Sequence, residues 1–390
     1  MREGWTYKKL GEVCDFQGGS QPPKNEWSKE PRDGYARMLQ IRDFTQNATD
    51  YIEYVKKSKS LKYCNDDDIL IGRYGASVGK ILTGLSGAYN VAIIKTIPKE
   101  IVDKHYLKYY FLSPYFQHNL LASSQHRAAQ AGFSKEDIFD YRFLCPPLSE
   151  QQSIVAELDK INELISLKKA QLSDLDSLAQ SIFYDMFGDP IENEKGWEVK
   201  KLEDLCNKIG SGATPRGGNE SYKIQGISLI RSMNVYNNEF RYKDLAFIDE
   251  EQADALSNVV VSQQDILLNI TGASVARCCI VPDDILPARV NQHVCIIRPK
   301  SIADSIYLNY MLTNDSYQNH LLSLARSKAA TREALPKSIV ENLHIPLPPL
   351  TLQQEFAKRI ELIEQQKAQI SSTIKDLETL LASRMQYWFD

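Results

Sequence analysis

Residues 146–187 read PPLSEQQSIVAELDKINELISLKKAQLSDLDSLAQSIFYDMF, and this stretch decides the fold. Its apolar residues alternate between spacings of four and three, interrupted only at Lys168: Ile154, Leu158, Ile161, Ile165, Leu172, Leu175, Ala179, Ile182 and Met186. A seam that keeps one register over five heptads is typical of a coiled coil. The alternative is an amphipathic helix lying on a globular core, but such helices seldom keep a heptad pattern over this length.

The same pattern returns before the C-terminus. Pro348-Pro349-Leu350-Thr-Leu-Gln353-Gln354 repeats the opening motif at an offset of 202 residues. Its seam, interrupted at Lys367 and Arg384, consists of Phe356, Ile360, Ile363, Ile370, Ile374, Leu377, Leu381 and Trp388. Ser149 with Gln152, and Thr351 with Gln354, have the form of helix N-terminal capping boxes. We therefore predict two long helices, each the natural partner for the apolar seam of the other.

The segments that precede the two helices also repeat each other. Gly4-Trp5 and Lys8-Lys9-Leu10 return at an offset of 192, and Asp68-Ile-Leu with Gly75-Ala-Ser-Val78 returns at an offset of 197. The offset only rises along the chain, so the order of features is preserved and one ancestral unit has been duplicated. The predicted segments are a first globular domain (1–146), a central helix with linker (147–195), a second globular domain (196–348) and a C-terminal helix (349–390).

Both globular segments combine strand and helix patterns. Short runs rich in Val, Ile and Tyr predict strands at Ile69–Ile71, Val91–Ile94, Cys278–Val281 and Val294–Ile297, with a helix over Tyr106–Leu121. The predicted fold class is α+β: two mixed α/β domains, each with a twisted sheet, joined by two long antiparallel coiled-coil helices in a tandem repeat with pseudo-twofold symmetry. Antiparallel pairing is favoured because the linker is too short to run back along a helix of about 57 Å.

The net charge of -4, from 46 Lys and Arg against 50 Asp and Glu, is unevenly distributed. Residues 1–146 carry +4, residues 147–195 carry -6, and each of the two remaining segments carries -1. Nucleic acid is not excluded as a ligand, since backbone affinity depends on a local positive face. The seven cysteines form no CxxC pair, and neither a signal peptide nor a membrane span is apparent. We therefore expect a cytoplasmic, reduced protein without a structural metal.

Motifs of catalysis are missing. The segment Gly72–Ile81 resembles a phosphate-binding loop, but three residues instead of four separate Gly75 from Gly79, and Ile81 replaces the Ser or Thr that would hold magnesium. Asp68 and Asp265 recur at the starts of predicted strands, where turn or cap roles are expected. A duplicated chain without duplicated catalytic groups is predicted to bind a ligand and not to be an enzyme.

Two variable domains, each followed by Pro-Pro-Leu-x-x-Gln-Gln and a long heptad helix, resemble the specificity subunit of type I restriction-modification systems. Further matching elements are Gly-Trp-x-x-Lys-Lys-Leu in both copies and the helix ends Phe187-Gly188-Asp189 and Phe389-Asp390. The resemblance implies two target recognition domains, each reading one half of a split site in double-stranded DNA. It also implies that the helices set the spacing and dock two methyltransferase subunits, which two restriction/translocase subunits join.

The same resemblance places the chemistry in the partners. S-adenosylmethionine would belong to the methyltransferase, ATP and Mg to the restriction subunit, and no cofactor to this chain; the methyltransferase would act on a flipped adenine. Two other functions fit the layout. One is the specificity subunit of a type IIB-like restriction system, and the other is a coiled-coil scaffold whose globular domains bind proteins.

Candidate DNA contacts lie in the loops between predicted strands. Arg and Lys suit guanine or phosphate, whereas Asn and Gln suit adenine. In the first domain the candidates are Gln17, Ser20, Lys24, Arg42, Arg73, Tyr74, Ser77, Lys80, Arg127 and Gln130. In the second domain they are Ser211, Thr214, Arg216, Arg231, Asn234, Thr271, Ser274, Arg277 and Arg332.

Overall fold

The structure is a computed structural model that describes residues 4–46, 51–124, 132–215, 217–327 and 333–390. The chain divides into two compact units, each built from one globular domain and parts of both long helices. Unit 1 comprises Met1–Lys169 with Ser372–Asp390, and unit 2 comprises Ala170–Ser371. Among the described residues, no helix is both long enough and apolar enough to cross a membrane.

The globular domain of unit 1 contains eleven described strands and five described helices. The strands are β1 (Thr6–Lys9), β2 (Cys14–Gly18), β3 (Trp27–Ser28), β4 (Tyr35–Leu39), β5 (Glu53–Lys56), β6 (Tyr63–Cys64), β7 (Leu70–Gly72), β8 (Ile81–Leu82), β9 (Gly87–Tyr89), β10 (Ile93–Pro98) and β11 (Arg142–Cys145). The helices are α1 (Leu10–Val13), α2 (Ile41–Thr45), α3 (Lys104–Leu112), α4 (Pro114–Ser124) and α5 (Lys135–Phe139). The first long helix, α6 (Leu148–Phe187), follows directly.

The described strands of unit 1 form two main sheets and one strand pair. The sheet orders are β2-β10-β7-β8 and β3-β5-β4-β9-β6, and β1 pairs with β11. All described pairings are antiparallel except that of β4 with β9. Because β1 and β11 lie at the two ends of the domain sequence, their pairing closes the domain next to the start of α6.

Unit 2 repeats this plan. Its strands are β12 (Glu198–Lys201), β13 (Cys206–Ser211), β14 (Ile227–Ile230), β15 (Val235–Tyr236), β16 (Glu239–Phe240), β17 (Ala246–Ile248), β18 (Val260–Val261), β19 (Ile266–Asn269), β20 (Cys278–Ile280), β21 (Ala288–Val290), β22 (Val294–Pro299) and β23 (His344–Leu347). Its helices are α7 (Leu202–Leu205), α8 (Glu250–Asp254), α9 (Ser305–Thr313), α10 (Asp315–Ser327), α11 (Lys337–Glu341) and α12 (Leu350–Phe389). The sheets are β13-β22-β19-β20, β17-β14-β21-β18, β12-β23 and β15-β16, with β14 and β21 parallel.

The α+β class is confirmed, but two details of the prediction are wrong. Each globular domain divides its main strands between two sheets instead of one. The helix predicted over Tyr106–Leu121 is interrupted at Ser113, because the residue before Pro114 is driven into an extended conformation. Unit 2 has the same interruption without a proline: Asn314 is extended and caps the next helix, accepting a hydrogen bond of 3.0 Å from the Ser316 amide.

The long helices bury the predicted seam. Every predicted seam residue from Ile154 to Ile182 and from Phe356 to Leu381 is buried or half-buried, and the two lysines that interrupt the pattern are half-buried as well. The last two turns depart from the heptad, since Phe183 and Phe187 are buried in place of the half-buried Ile182 and Met186. The second helix makes the same shift to Met385 and Phe389.

Within each unit the two helices run antiparallel. In unit 1, Glu157 near the start of α6 binds Arg384 near the end of α12, and Lys169 lies 2.8 Å from Glu378. In unit 2, the Asp176 carboxylate lies 2.8 Å from Lys367 Nζ, and the ring centres of Phe183 and Phe356 are 5.6 Å apart. In both units, residue numbers therefore rise along one helix while they fall along the other.

The same helix faces also complete the globular cores. In unit 1, Leu158 is fully buried with Ile154 and Met385 among the aromatic residues of α3 and β11. The Phe389 ring centre lies 5.0 Å from that of Tyr106. Because burying one such side chain stabilises the fold by about 1.5–3 kcal/mol, the seam holds each domain to the helices as well as helix to helix. Each long helix thus combines the two alternatives: it pairs with the other helix as in a coiled coil, and it covers a globular core as an amphipathic helix does.

The predicted capping boxes are wrong. Helix α6 begins at Leu148, one residue before Ser149, and the Glu150 amide donates to Pro147 O at 2.9 Å. The fully buried Gln151 holds this end instead: its Nε2 donates to Pro146 O at 2.8 Å, and its Oε1 accepts from the Asp103 amide at 2.7 Å. Gln353 makes the equivalent bonds to Pro348 O and the Asp304 amide, at 2.8 and 2.9 Å.

Candidate nucleic-acid interface

Each unit carries an arginine just beyond the strand that makes its parallel pairing, although Arg231 is equivalent by register to Gln40 and not to Arg42. Arg42 follows β4 and Arg231 follows β14, the two strands that make the parallel pairings. The guanidinium carbon of Arg42 lies 5.7 Å from the ring centre of Tyr51, and that of Arg231 lies 5.4 Å from the ring centre of Tyr222. Stacking fixes the plane of the guanidinium and its donors, a geometry that suits phosphate and guanine. Both domains therefore carry a stacked cationic group beyond this strand, at positions two residues apart in register.

The two arginines differ in what neutralises them. Arg42 Nη2 lies 2.5 Å from the carboxylate of Glu53, whereas Arg231 Nη2 donates to the main-chain oxygen of Asp244. In both side chains the Nε atom is buried and has no hydrogen-bond partner within the described structure. Since a carbonyl does not cancel the charge of Arg231, this site in unit 2 attracts an anion more strongly than its counterpart in unit 1.

The Gly-Ala-Ser loops are held by a pair of equivalent glutamines. Gln117 Nε2 donates to Gly79 O at 2.9 Å and to the last turn of α3 at 2.7 Å. Gln318 Nε2 donates to Ala276 O at 2.9 Å and to the last turn of α9 at 2.6 Å. Gly79 and Ala276 are both left-handed, with φ of 80° and 72°. Each loop is a 3₁₀ turn between two strands, which differs from the strand-to-helix context of a phosphate-binding loop.

These loops present some of the predicted side chains and use others for their own structure. Arg73 Nε donates to Phe133 O at 3.2 Å while its guanidinium lies 5.1 Å from the Tyr74 ring centre, and Lys80 is exposed. The Ser77 hydroxyl instead donates to Tyr74 O at 2.6 Å. In unit 2, the Thr271 hydroxyl lies 2.6 Å from a ring nitrogen of His293. Ser274 is half-buried in the same loop.

The turns after β2 and β13 require glycine. A Cβ on Gly19 would lie 2.0 Å from Asn90 O, and a Cβ on Gly212 would lie 1.8 Å from Val290 O. The predicted residues around the first turn are partly engaged: the Tyr89 hydroxyl donates to Gln17 Oε1 at 3.0 Å, and the Ser20 hydroxyl donates to Ser60 O at 3.1 Å. Three further predicted residues lie near these turns. Lys24 is exposed at the start of a 3₁₀ turn, Ser211 is the last residue of β13, and the Thr214 hydroxyl binds Gln292.

Asn234 needs a correction, because its side chain is fully buried and its amide is used internally. Its Oδ1 accepts from the Arg231 amide at 3.1 Å, and its Nδ2 donates to Arg241 O at 2.8 Å and Lys243 O at 3.2 Å. No donor or acceptor is left for a base, so Asn234 shapes the loop that carries its neighbours. Four further candidates fall outside the described residues: Arg127, Gln130, Arg216 and Arg332.

The repeated aspartates at the strand starts have the structural role expected of them. Asp68 accepts from the Asn65 amide at 2.9 Å, and Asp265 accepts from the Ser262 amide at 2.7 Å. Each also binds one cation of the neighbouring strand, with Lys95 2.6 Å from Asp68 and Arg298 2.7 Å from Asp265. Although burial opposes it, hydrogen bonding to Lys95 lowers the pKa of Asp68 below its usual value.

The thiols offer no metal or redox centre within the described part of the chain. All seven cysteines are buried, and no group of three His, Cys, Asp or Glu side chains there could hold a metal ion. Burial raises the pKa of Cys14 and of Cys206 to about 12. Such thiols are protonated at neutral pH and act as apolar core residues.

The aromatic partners of the arginines were absent from the sequence-based prediction. Tyr51 follows Arg42 in the sequence, whereas Tyr222 precedes Arg231. The two stacked pairs therefore share no sequence spacing that could have revealed them. A third tyrosine, Tyr236, has two guanidinium groups against its ring. One belongs to the predicted Arg277 and the other to Arg241, which was not among the predicted residues. The sequence signal that could have pointed to these partners is the 20 tyrosines of the chain, because aromatic side chains and arginine are used together at nucleic-acid surfaces.

Comparison with known families gives two matches along the chain. The family model described as "Type I restriction modification DNA specificity domain" matches residues 2–176 and 194–379. Each match takes in one globular domain and most of the long helix that follows it. The duplication inferred from the sequence thus corresponds to two copies of one family domain.

Curated relatives match over nearly their whole length. The MjaVIII specificity subunit of a type I restriction enzyme from Methanocaldococcus jannaschii is 24% identical over 97% of this chain and 92% of its own. The MjaIX specificity subunit from the same organism is 26% identical, over 92% and 86% of the two chains. A chain solved in a study of type I R-M complex assembly covers 100% of this chain and 98% of its own, with 19% identity and a TM-score of 0.63, which supports the fold.

Proposed function

The chain belongs to the type I restriction-modification DNA specificity family, and on this basis we propose that it is the subunit that recognises DNA in such a complex. Each globular domain reads one half of a bipartite site, and the helices join the two reading elements. Two reading elements in one chain correspond to a site with two specified halves separated by a spacer that the protein does not read. The contribution of the chain is sequence recognition and the placement of partner subunits.

The proposal assigns the covalent chemistry to the partners. A methyltransferase partner holds S-adenosylmethionine and acts on a flipped adenine, and a restriction partner uses ATP and Mg. The partners dock on the helices, where several large apolar side chains are exposed: Leu167, Leu178, Leu362 and Leu380. The association of its relatives with type I restriction enzymes supports this division of labour.

One observation carries the assignment of the DNA-reading surface: each domain has an arginine, Arg42 or Arg231, shortly after the strand of its parallel pairing, and each is stacked on a tyrosine. A stacked arginine beyond the end of the same strand in each domain is suited to similar roles on two half-sites. Arginine can contact guanine in two places at once, and such a contact discriminates against the wrong base by about 1–3 kcal/mol.

The test is methylome sequencing of a methylation-free host that expresses the chain with its methyltransferase subunits. We expect a bipartite methylated motif. Arg42→Ala should relax or abolish one half of that motif and Arg231→Ala the other half, because each domain reads separately. Arg42→Lys and Arg231→Lys keep the charge but remove the planar fork, so they should alter base preference more than overall affinity.

Arg142→Ala provides the matched control. Arg142 also lies on a tyrosine, 3.9 Å from the ring centre of Tyr7, but it belongs to β11 beside the long helices. We expect this variant to leave the motif unchanged. If Arg42→Ala and Arg231→Ala weakened both halves equally, modular reading would be rejected. If no bipartite motif were methylated by the assembled complex, the recognition function itself would be rejected.

A further inference from the structure

The most concentrated cationic group outside the paired arginines lies around Tyr236 in unit 2. The guanidinium carbon of Arg241 is 3.5 Å from the Tyr236 ring centre, and that of Arg277 is 4.3 Å from it. At these distances two guanidinium groups cannot share one ring face without overlapping. The tyrosine ring therefore lies between the two arginines, of which Arg277 directly precedes β20 and Arg241 directly follows β16.

The stack holds more positive charge than its surroundings neutralise. Arg241 donates twice to one carboxylate oxygen of Glu239, at 3.1 and 3.0 Å, whereas the side chain of Arg277 has no hydrogen-bond acceptor among the described residues. Stacking on the tyrosine ring attracts a cation without removing its charge. Two cations against one carboxylate leave a site that is complementary to an anion.

The position of the stack connects it to the reading surface of the same domain. The loop after Arg241 folds back so that Asn234 binds the main chain of Arg241 and Lys243, and Asp244 O accepts from Arg231. The exposed Lys243 thus extends from the same loop as Arg241, and the half-buried Arg231 binds this loop through Asp244 O. These cations form one continuous loop surface, held by the buried Asn234.

We propose that Arg241, Tyr236 and Arg277 form a clamp for the phosphate backbone of duplex DNA beside the half-site read by unit 2. The two guanidinium carbons are at most about 8 Å apart with the tyrosine ring between them, so each arginine donates to its own phosphate of the backbone. Both ring faces are occupied, so the tyrosine offers no platform for a base. The clamp therefore positions the DNA and does not read its sequence. This inference rests on the proposed DNA-binding function.

The test uses the full chain and two labelled duplexes, one with the site recovered by methylome sequencing and one of scrambled sequence. Arg277→Gln and Arg241→Gln should each weaken binding to both duplexes by roughly three- to tenfold, and each should lower the slope of log affinity against log salt by about one. The methylated motif should stay unchanged. Glu239→Gln should strengthen binding to both duplexes, because it releases Arg241 from its carboxylate.

Tyr236→Phe and Tyr236→Leu separate stacking from folding. Phenylalanine keeps the stack and should bind within about twofold of the unaltered chain, whereas leucine removes it and should resemble Arg277→Gln. Thermal unfolding of each variant identifies those that fail to fold, and the Arg277→Gln and Glu239→Gln pair tests the clamp without altering the ring. Arg359→Gln is the matched control, since Arg359 is exposed on α12 and pairs with one carboxylate, Glu355, at 2.6 Å.

Three results would overturn the clamp. Unchanged affinity and salt slope in Arg277→Gln and Arg241→Gln would show that the stack does not contact DNA. A change in the half of the methylated motif that unit 2 reads would show that the stack reads bases. Weaker binding in Glu239→Gln would show that the ion pair, and not a free cation, is what matters. If the unaltered chain did not distinguish the two duplexes, the proposed function would fail separately from the clamp.

Discussion

At the scale of single residues, the two glutamines of each Pro-Pro-Leu-x-x-Gln-Gln motif have different roles. Gln151 is fully buried and joins the start of α6 to the start of α3 through Pro146 O and the Asp103 amide, whereas its neighbour Gln152 is exposed. Gln353 repeats the arrangement in unit 2. The motif is therefore a structural joint between domain and helix.

We expect Gln151→Ala to destabilise unit 1 by about 1–3 kcal/mol, because it leaves a buried carbonyl and a buried amide without partners. Chemical denaturation followed by circular dichroism measures this change. Gln152→Ala is the matched control and should alter the free energy of unfolding by less than about 0.5 kcal/mol. Equal changes in the free energy of unfolding in Gln151→Ala and Gln152→Ala would contradict the role of Gln151 as the joint between domain and helix.

Residue-scale predictions from the sequence succeeded where the pattern itself constrains a side chain. Asp68 and Asp265 were expected as turn or cap residues from their place before a strand, and they bind the turn amides. Asn234 was expected to face DNA because an amide after a strand suits adenine, yet it is buried. Whether its amide faces the main chain or the solvent depends on how residues 241–244 fold back, and no local pattern encodes that contact.

At the scale of elements, unit 1 contains a polar lock between the long helices. Glu157 on α6 binds the guanidinium of Arg384 on α12, and the Trp388 Nε1 donates to Glu157 Oε2 at 3.1 Å. The Trp388 ring also stacks on Trp5, with ring centres 5.9 Å apart. Hydrogen bonding to Arg384 lowers the pKa of Glu157 below its usual value. The lock replaces an apolar seam contact at Arg384.

A lowered pKa means that this carboxylate stabilises the folded chain when it is ionised. That contribution is present above the unfolded pKa, near 4.3, and is lost as the pH falls through the lower folded value. Because the two side chains are 30% and 34% exposed, solvent screening limits it to about 1 kcal/mol. We therefore expect Glu157→Gln to lower the unfolding temperature at pH 7 but to match the unaltered chain near pH 3.

Glu163→Gln is the control for this pH series. Glu163 pairs with Lys160 on the same helix at 3.1 Å, and both side chains are more than half exposed. We expect no measurable change in its unfolding temperature at either pH. A deficit in Glu157→Gln that is equally large at pH 7 and pH 3 would reject the electrostatic contribution and point to lost packing.

The helices were the most predictable elements, and their ends show the limit of periodicity. A 4-3 pattern of apolar residues specifies which side of a helix is buried, so Ile154 to Leu175 were placed correctly. At the C-terminal turns, Ile182 and Phe183 are both apolar, and the pattern cannot choose between them. The choice is made by Tyr307, whose ring centre lies 6.0 Å from that of Phe183, a contact between residues distant in sequence.

At the scale of the whole molecule, each compact unit is built from chain segments that are distant in sequence. Each long helix passes from one unit to the other near its middle, at residues 169–170 and 371–372. The sequence predicted one domain and one helix for each repeat, which is the unit of duplication. The unit of packing is different, because an apolar seam must be buried by the other helix, and this partner is contributed by the other repeat.

This exchange of helices makes a paired insertion the proper test of whether the helices set the spacer of the DNA site. We expect that seven residues inserted after Lys169, together with seven after Ser371, keep the heptad register and lengthen both helices by about 10.5 Å. At about 3.4 Å per base pair, the unread spacer in the methylated motif should grow by about three base pairs. Methylome sequencing with the methyltransferase subunits measures that spacer and both half-sequences.

Seven residues inserted after Lys169 alone serve as the control, because they leave about two turns of α6 without a partner on α12. This chain should lose methylation or yield little folded protein, whereas the chain with both insertions should assemble and methylate the longer site. The half-sequences should be identical in the original and lengthened motifs, since neither globular domain has been altered. Methylation of the original spacing by the doubly inserted chain would show that the distance between the half-sites is set elsewhere, by the partner subunits or by deformation of the DNA.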